Sequence, residues 1–384
     1  MVCRTSQESI YEQAVTFQNR LLTRITHDYS VYHVFIKKYN GFINSLRITN
    51  PSTVFNTQLH GNSNLDFGKD YVPLDPSNYD PDKPSSNHIK QQDTTTSTDY
   101  AFPHAHNDTI AAKRAPTLVL LHGYVCGLAM WTPNINGLAQ HFDDIRAIDC
   151  LGFGLSSKKL PDVKFKDENE ADDFWIDSLE EWRIKEGLDK DIILVGHSLG
   201  GYIAAAYAVK YPKHIKHLIL ASPVGVPYKR IENPTWAQKT FLFNLFKVYP
   251  YTALSVLGDN VGRNLFFRYN QVRFKREHND TEFVEYLYEI MRLKGDSGER
   301  AFREAFVPVA YAKRPLEDRL INFPKPVTFL YGSHDWMDCE HGLKVSNTLD
   351  KSKLFLVPNA GHMLTFDNPE FFNQVVINTL YEQN

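Results

Sequence analysis

From residue 116 onward, short apolar runs alternate with amphipathic stretches. Residues 117–121 (Thr117-Leu118-Val119-Leu120-Leu121) form a run too short for a helix and without polar alternation. Such a run predicts a strand buried on both faces. Residues 145–148, 192–195 and 217–221 read the same way. Between them, residues 170–186 place Trp175, Leu179 and Trp182 on one helical face and end at Gly187, a suitable residue just past a helix C-terminus. Residues 199–211 are small and apolar and stop at Pro212. Later in the chain the pattern predicts a strand over 327–331, a helix over 339–349, a strand over 353–357 and a helix over 369–381. Buried strands alternating with helices imply an α/β fold, a mostly parallel doubly wound sheet covered on both faces. The alternation fails between about 226 and 315. That stretch is helical and rich in aromatics, among them Trp236, Phe241, Phe246, Tyr251, Phe266 and Tyr269. An insertion of this kind in a doubly wound sheet reads as a lid.

The N-terminal part differs. Residues 7–38 read as a helix with Tyr11, Val15, Leu21, Leu22 and Ile25 mostly on one face. Residues 42–58 read as two short strands around Asn50-Pro51-Ser52. From about 61 to 115 the chain turns to Asn, Asp, Ser, Thr, Pro and His, centred on Gln91-Gln92-Asp93-Thr94-Thr95-Thr96. It has little apolar area to offset the entropy of ordering and reads as a disordered insertion. The chain thus divides into 1–60 (helix and first strands), 61–115 (insertion) and 116–384 (the α/β domain with its helical lid).

Composition narrows the function only by exclusion. The 384 residues carry a formal net charge of -3, from 45 acidic and 42 basic residues, which gives no reason to expect nucleic acid as a partner. Four scattered cysteines, Cys3, Cys126, Cys150 and Cys339, suggest neither a disulfide framework nor a zinc site, and favour a reducing, intracellular setting. The two glycosylation sequons, at Asn107 and Asn279, read as chance in a chain with no secretory signal. No apolar run is long enough to span a bilayer. A mild basic excess in the first 50 residues hints weakly at a mitochondrial presequence. A cytoplasmic or peripherally membrane-associated place fits the remaining features. No metal and no bound cofactor are expected.

The chemistry gathers around Gly196-His197-Ser198-Leu199-Gly200. A strand runs into this motif and a helix runs out, so Ser198 sits on a sharp turn with its hydroxyl presented, and the glycines let the turn close. A serine hydroxyl needs a base, and in this arrangement the chain order is Ser, then Asp or Glu, then His. His362 follows a late strand in Asn359-Ala360-Gly361-His362, and Asp335 follows the strand before it, with Asp338 as the alternative acid. An oxyanion hole would use the backbone N–H of Leu199 and that of Tyr124, in the loop His122-Gly123-Tyr124. His122 reads as a brace for that loop. Asp149 to Ser156, with Gly152 and Gly154, reads as a structural turn. His214, His217 and His341 fit surface or helix-end positions.

Taken together, His122-Gly123, Asp149-x-x-Gly152-x-Gly154-x-Ser156, the Ser198 motif, an aspartate after a late strand and a terminal Gly361-His362 resemble the α/β-hydrolase superfamily over residues 116–384. Residues 331–338 and 362–372 are similar to the α/β-hydrolase-domain 4/5 subfamily, whose fungal relatives include a cardiolipin-specific deacylase and lysophosphatidic acid acyltransferases. That resemblance implies phospholipid or lysophospholipid substrates, a membrane or lipid-droplet surface as partner, and acyl-CoA as co-substrate where the acyl group is transferred. The subfamily also carries a His-x-x-x-x-Asp motif credited with acyl transfer, matched by His362 and Asp367. Read from the residues alone, Asp367 would instead cap the helix starting near Pro369. The subfamily further includes members that lack the serine and act as lipase coactivators; this chain keeps Ser198.

Overall fold

The computed structural model describes residues 6–49, 116–189, 191–227, 259–273, 280–307 and 311–381. Its frame is a sheet of eight strands. In chain order the strands are β1 (Tyr29–Ile36), β2 (Gly41–Thr49), β3 (Thr117–Leu121), β4 (Asp144–Ile148), β5 (Ile192–His197), β6 (Ile215–Ala221), a short pair β7 (Phe306–Val307) and β8 (Tyr311–Ala312), β9 (Val327–Gly332) and β10 (Ser352–Val357). The sheet order is β1-β2-β4-β3-β5-β6-β9-β10, and β7 and β8 form their own two-stranded sheet. Only β2 runs against its neighbours; β4, β3, β5, β6, β9 and β10 are parallel.

Both faces of the sheet are covered, as the unbroken apolar runs require. In β5, Ile193 and Val195 join a core with the helices Gln7–Leu22, Thr132–Leu138, Thr281–Arg292 and Pro369–Asn378. Ile192 and Leu194 point the other way, into a core with the helices Glu168–Lys185, Leu199–Lys210 and Cys339–Ser346. Gly187, at φ +66, follows the helix Glu168–Lys185 as its spacing foretold.

The N-terminal expectation needs correction. The helix ends at Leu22, and residues 29–36, read as its continuation, form β1. The run Tyr-Ser-Val-Tyr-His-Val-Phe-Ile is aromatic and β-branched, and its last residues alternate: Val34 and Ile36 are buried while Phe35 is exposed. Pairing with β2 along its whole length supplies the ladder that decides the matter. The turn at 50–52 and the segment 61–115 lie outside the described residues. So does much of the expected lid, including Trp236, Phe241, Phe246 and Tyr251. Its described helices are packed into the body: Phe283, Tyr286, Leu287 and Ile290 are fully buried beside the N-terminal helix. No helix among the described residues is long and apolar enough to cross a membrane.

Candidate active site

The site forms at the carboxyl ends of β3, β5, β6, β9 and β10, the edge where open α/β sheets bring their connecting loops together. Ser198 follows β5 with φ 53 and ψ -114, a conformation that β-carbon sterics make rare for a non-glycine residue. The strain is held from several sides. Ser198 N–H donates to Ala221 O at 2.9 Å, and its carbonyl accepts from Val224 N at 3.2 Å. Tight packing also fixes the residues: a β-carbon on Gly200 would lie 2.4 Å from Leu121 O, and one on Gly196 would lie 2.2 Å from Gly200 O. Only glycine at both positions lets strand, turn and helix Leu199–Lys210 approach one another this closely.

His362 Nε2 lies 3.1 Å from Ser198 Oγ, and its Nδ1 lies 3.1 Å from Asp335 Oδ1. Asp335, its side chain 1% exposed, also accepts hydrogen bonds from the Ser222 hydroxyl and from Met337 N at 3.0 Å. Burial pushes its carboxyl up. The His362 hydrogen bond and charge, with Ser222 and Met337, outweigh that and hold it below the usual carboxylate range. A carboxylate that stays ionised at Nδ1 fixes the imidazole with Nε2 free to accept a proton.

The alternative acid sits elsewhere. Asp338 is exposed and caps the helix Cys339–Ser346, its carboxylate accepting from Glu340 N at 2.9 Å. Asp367 does not cap the last helix either. Asn368 does so, accepting from Phe371 N at 3.1 Å. Asp367 instead accepts from Gly361 N at 2.8 Å and so fastens the loop that carries His362. The carboxylate therefore reaches back along the chain to the loop rather than forward to the helix.

The loop after β3 closes the other side. A β-carbon on Gly123 would lie 3.2 Å from Ser198 Cβ, so this loop abuts the serine. His122 braces it: Nδ1–H donates to Gly123 O at 2.7 Å, and Nε2 accepts from Cys150 N at 3.0 Å. Since Cys150 N–H can only donate, the tautomer is set, and burial keeps the ring neutral by lowering its pKa. Tyr124 stacks on Phe302 with centroids 4.5 Å apart, and its hydroxyl donates to Glu299. The Asp149–Ser156 turn is structural, as read. The fully buried Asp149 carboxylate accepts from Leu128 N (2.6 Å), Leu155 N (2.7 Å) and Asn44 Nδ2 (2.8 Å).

Three contacts were not anticipated from the sequence. Ser222 bonds Asp335; His197 Nε2 donates to His362 O at 2.8 Å; Glu299 holds Tyr124. His197 stands inside the serine motif and Ser222 at the end of β6, so their positions carried a signal, whereas Glu299 lies in the helix Ser297–Ala305 and carried none. His217, expected at a surface or helix end, is buried in β6 against Thr328 Oγ1 at 2.8 Å, and burial lowers its pKa to about 3. Among the described residues no group of three or more His, Cys, Asp or Glu is placed to hold a metal ion.

Comparison with known proteins gives the family of this fold. The α/β hydrolase fold family matches residues 116–369. The chain is 34% identical over 285 residues to 1-acylglycerol-3-phosphate O-acyltransferase of Arabidopsis thaliana, covering 70% of this chain and 67% of that protein. It is 36% identical over 270 residues to 1-acylglycerol-3-phosphate O-acyltransferase ABHD5 of Sus scrofa (67% and 75%). To the (lyso)-N-acylphosphatidylethanolamine lipase of Bos taurus it is 34% identical over 274 residues (67% and 77%). Naproxen esterase from Bacillus subtilis shares the fold alone, with a TM-score of 0.60 at 16% identity over 97% of this chain and 98% of that one. This chain belongs to the α/β-hydrolase superfamily and, within it, to the α/β-hydrolase-domain 4/5 subfamily.

Proposed function

We propose that this protein is a serine-dependent acyl hydrolase of phospholipid or lysophospholipid esters, working through an acyl-enzyme on Ser198. The observation that carries the reading is the continuous chain from Ser198 Oγ to His362 Nε2 and from His362 Nδ1 to Asp335, each link 3.1 Å. Ser198 Oγ attacks the ester carbonyl while His362 Nε2 takes its proton. Asp335 stabilises the imidazolium that results. The N–H groups of Leu199 and Tyr124 face the oxyanion of the tetrahedral intermediate, and the helix that starts at Leu199 adds its positive end. Collapse of the intermediate expels the lipid alkoxide, which takes the proton from His362. Water, deprotonated by the same imidazole, then releases the fatty acid. The lipid class is taken from the relatives, named as acting on acylglycerol phosphates and N-acylphosphatidylethanolamines.

A second reading has the same acyl-enzyme and a different acceptor. The two plant relatives and the ABHD5 group are named as acyltransferases, which favours a lysophospholipid hydroxyl in place of water, with acyl-CoA as donor. A non-catalytic coactivator scaffold is the reading that needs no serine.

Labelling with a fluorophosphonate probe tests the proposal first. Wild type should label and Ser198→Ala should not; an unlabelled wild type sinks the hydrolase reading. A panel of phospholipids, cardiolipin included, incubated with and without acyl-CoA and resolved by mass spectrometry, distinguishes fatty-acid release from acyl transfer.

A further inference from the structure

His362 stands on a loop, between the end of β10 at Val357 and the short helix Leu364–Asp367. Its backbone lies outside the sheet, yet its imidazole must meet Ser198 Oγ at 3.1 Å. The peptide groups on either side of it are held from elsewhere in the fold. The peptide joining Ala360 to Gly361 is held at both ends: Ala360 O accepts from His334 N at 2.8 Å, and Gly361 N–H donates to Asp367 Oδ2 at 2.8 Å. The peptide that follows His362 is held from the serine's own turn, where His197 Nε2–H donates to His362 O at 2.8 Å. A carbonyl can only accept, so the hydrogen is on Nε2 and the His197 tautomer is set.

His197 is fixed where it can make that contact. It ends β5, fully buried, in register with Ala221 of β6. Its ring centroid lies 5.0 Å from that of His362. On the other edge the loop after β3 presses in: a β-carbon on Gly123 would lie 2.8 Å from His197 Nδ1. The ring is therefore wedged between that loop and the loop of His362. Its place in the chain matters as much, because His197 is bonded directly to Ser198. The contacts close a ring. It runs from Ser198 back to the His197 side chain, across to His362 O, out along the His362 side chain, and from its Nε2 to Ser198 Oγ. Such a ring fixes the separation of nucleophile and base against movement of either loop, and a misplacement of about 1 Å is enough to cost a reaction about 100-fold. Asp335 acts differently, setting which way the imidazole faces and which nitrogen holds the proton.

We propose that His197 is a positioning residue for the attack by Ser198: its hydrogen bond to His362 O holds the base at reacting distance from the nucleophile. Neither Asp335 nor Asp367 can stand in for it, because a carbonyl needs a donor and an ionised carboxylate only accepts. The inference rests on the serine reading above for the step it serves.

Two amide variants isolate the bond. The amide nitrogen of glutamine extends as far as Nε2 of histidine, so His197→Gln keeps a donor within reach of His362 O. Asparagine stops near the position of Nδ1, so His197→Asn keeps a buried amide that falls short. In the full chain, the rate of fluorophosphonate labelling at Ser198 and kcat on a lysophospholipid ester should each fall by about 100-fold in His197→Asn, with KM changed less than about twofold. His197→Gln should recover both to within about fivefold of wild type. Equal losses in the two variants would mark a residue that only fills space, and would overturn the proposal. So would wild-type labelling in His197→Asn. Hydrogen exchange over residues 358–367, followed by mass spectrometry, reads the hold without catalysis: it should quicken in His197→Asn and stay near wild type in His197→Gln. An unlabelled wild type removes the hydrolase reading alone. The exchange contrast then decides the role of His197 by itself, and no difference between the two variants overturns it. Should His197→Asn fail to fold, the smaller His197→Ala takes its place in the same comparison.

Discussion

Asp149 and Asp335 are two carboxylates with the same address and different work. Each follows the carboxyl end of a parallel strand, β4 and β9, and each has a side chain withdrawn from solvent. Asp149 is hydrogen-bonded by backbone amides and a carboxamide, donors that never change charge, and burial lowers the pKa of the His122 ring 3.9 Å away against the pull of this carboxylate. Asp335 faces Nδ1 of an imidazole whose other nitrogen is 3.1 Å from a hydroxyl. A carboxylate surrounded by fixed donors is a rivet. A carboxylate beside a group that gains and loses a proton stabilises one protonation state over the other. Residue type and position along a strand do not separate the two; the partner does.

The comparison can be broken in several ways. The largest effect falls on the serine that the Asp335 side serves. Ser198→Ala should lower turnover by about a millionfold, read as kcat on a lysophospholipid ester. Asp335→Asn keeps the shape but loses the charge that holds the tautomer, and should cost about 10,000-fold in kcat, together with the smaller stability contribution of the ionised carboxylate. Asp149→Ala should do the reverse. It leaves the buried amides of Leu128 and Leu155 without an acceptor and Asn44 Nδ2 with Gln18 Oε1 as its remaining partner, a loss of roughly 3–5 kcal/mol read by chemical denaturation. If Asp149→Ala silences turnover in protein that remains folded, the division between rivet and reacting group is wrong.

A pH measurement sharpens the same contrast. The folded-state pKa of Asp335 is depressed, so its contribution to stability is present above the unfolded value of about 3.9 and is lost as pH falls through the folded value. Wild type should therefore lose stability more steeply than Asp335→Asn as pH drops below about 4, and the two slopes should converge at higher pH. Parallel slopes in acid would remove the claimed interaction. The smallest effect belongs to Asp338→Ala. It deletes a helix cap worth about 1 kcal/mol and should leave turnover within about twofold.

Some of this protein was settled by its sequence alone. Strands buried on both faces must be apolar throughout, which makes β3, β5 and β9 legible without any partner in view. The serine turn is equally legible, because only glycine allows the close approaches at positions 196 and 200, and those glycines stand in the chain as letters. The order serine, aspartate, histidine follows from strand order in the fold. Other features needed the third dimension. Residues 29–36 carry enough apolar periodicity to extend a helix, and only the facing β2 makes them a strand. Asp335 and Asp338 are three residues apart on one loop, and the direction of each side chain, one toward His362 and one toward Glu340 N, is a property of that loop's folded path. Asp367 and Asn368 are neighbours with overlapping hydrogen-bonding chemistry, and backbone geometry gave the helix end to Asn368 and the His362 loop to Asp367. Lys158 and Lys294 line one cavity although they stand 136 residues apart, and no local pattern joins them; packing the helix Thr281–Arg292 and the turn after it against the loop after β4 does.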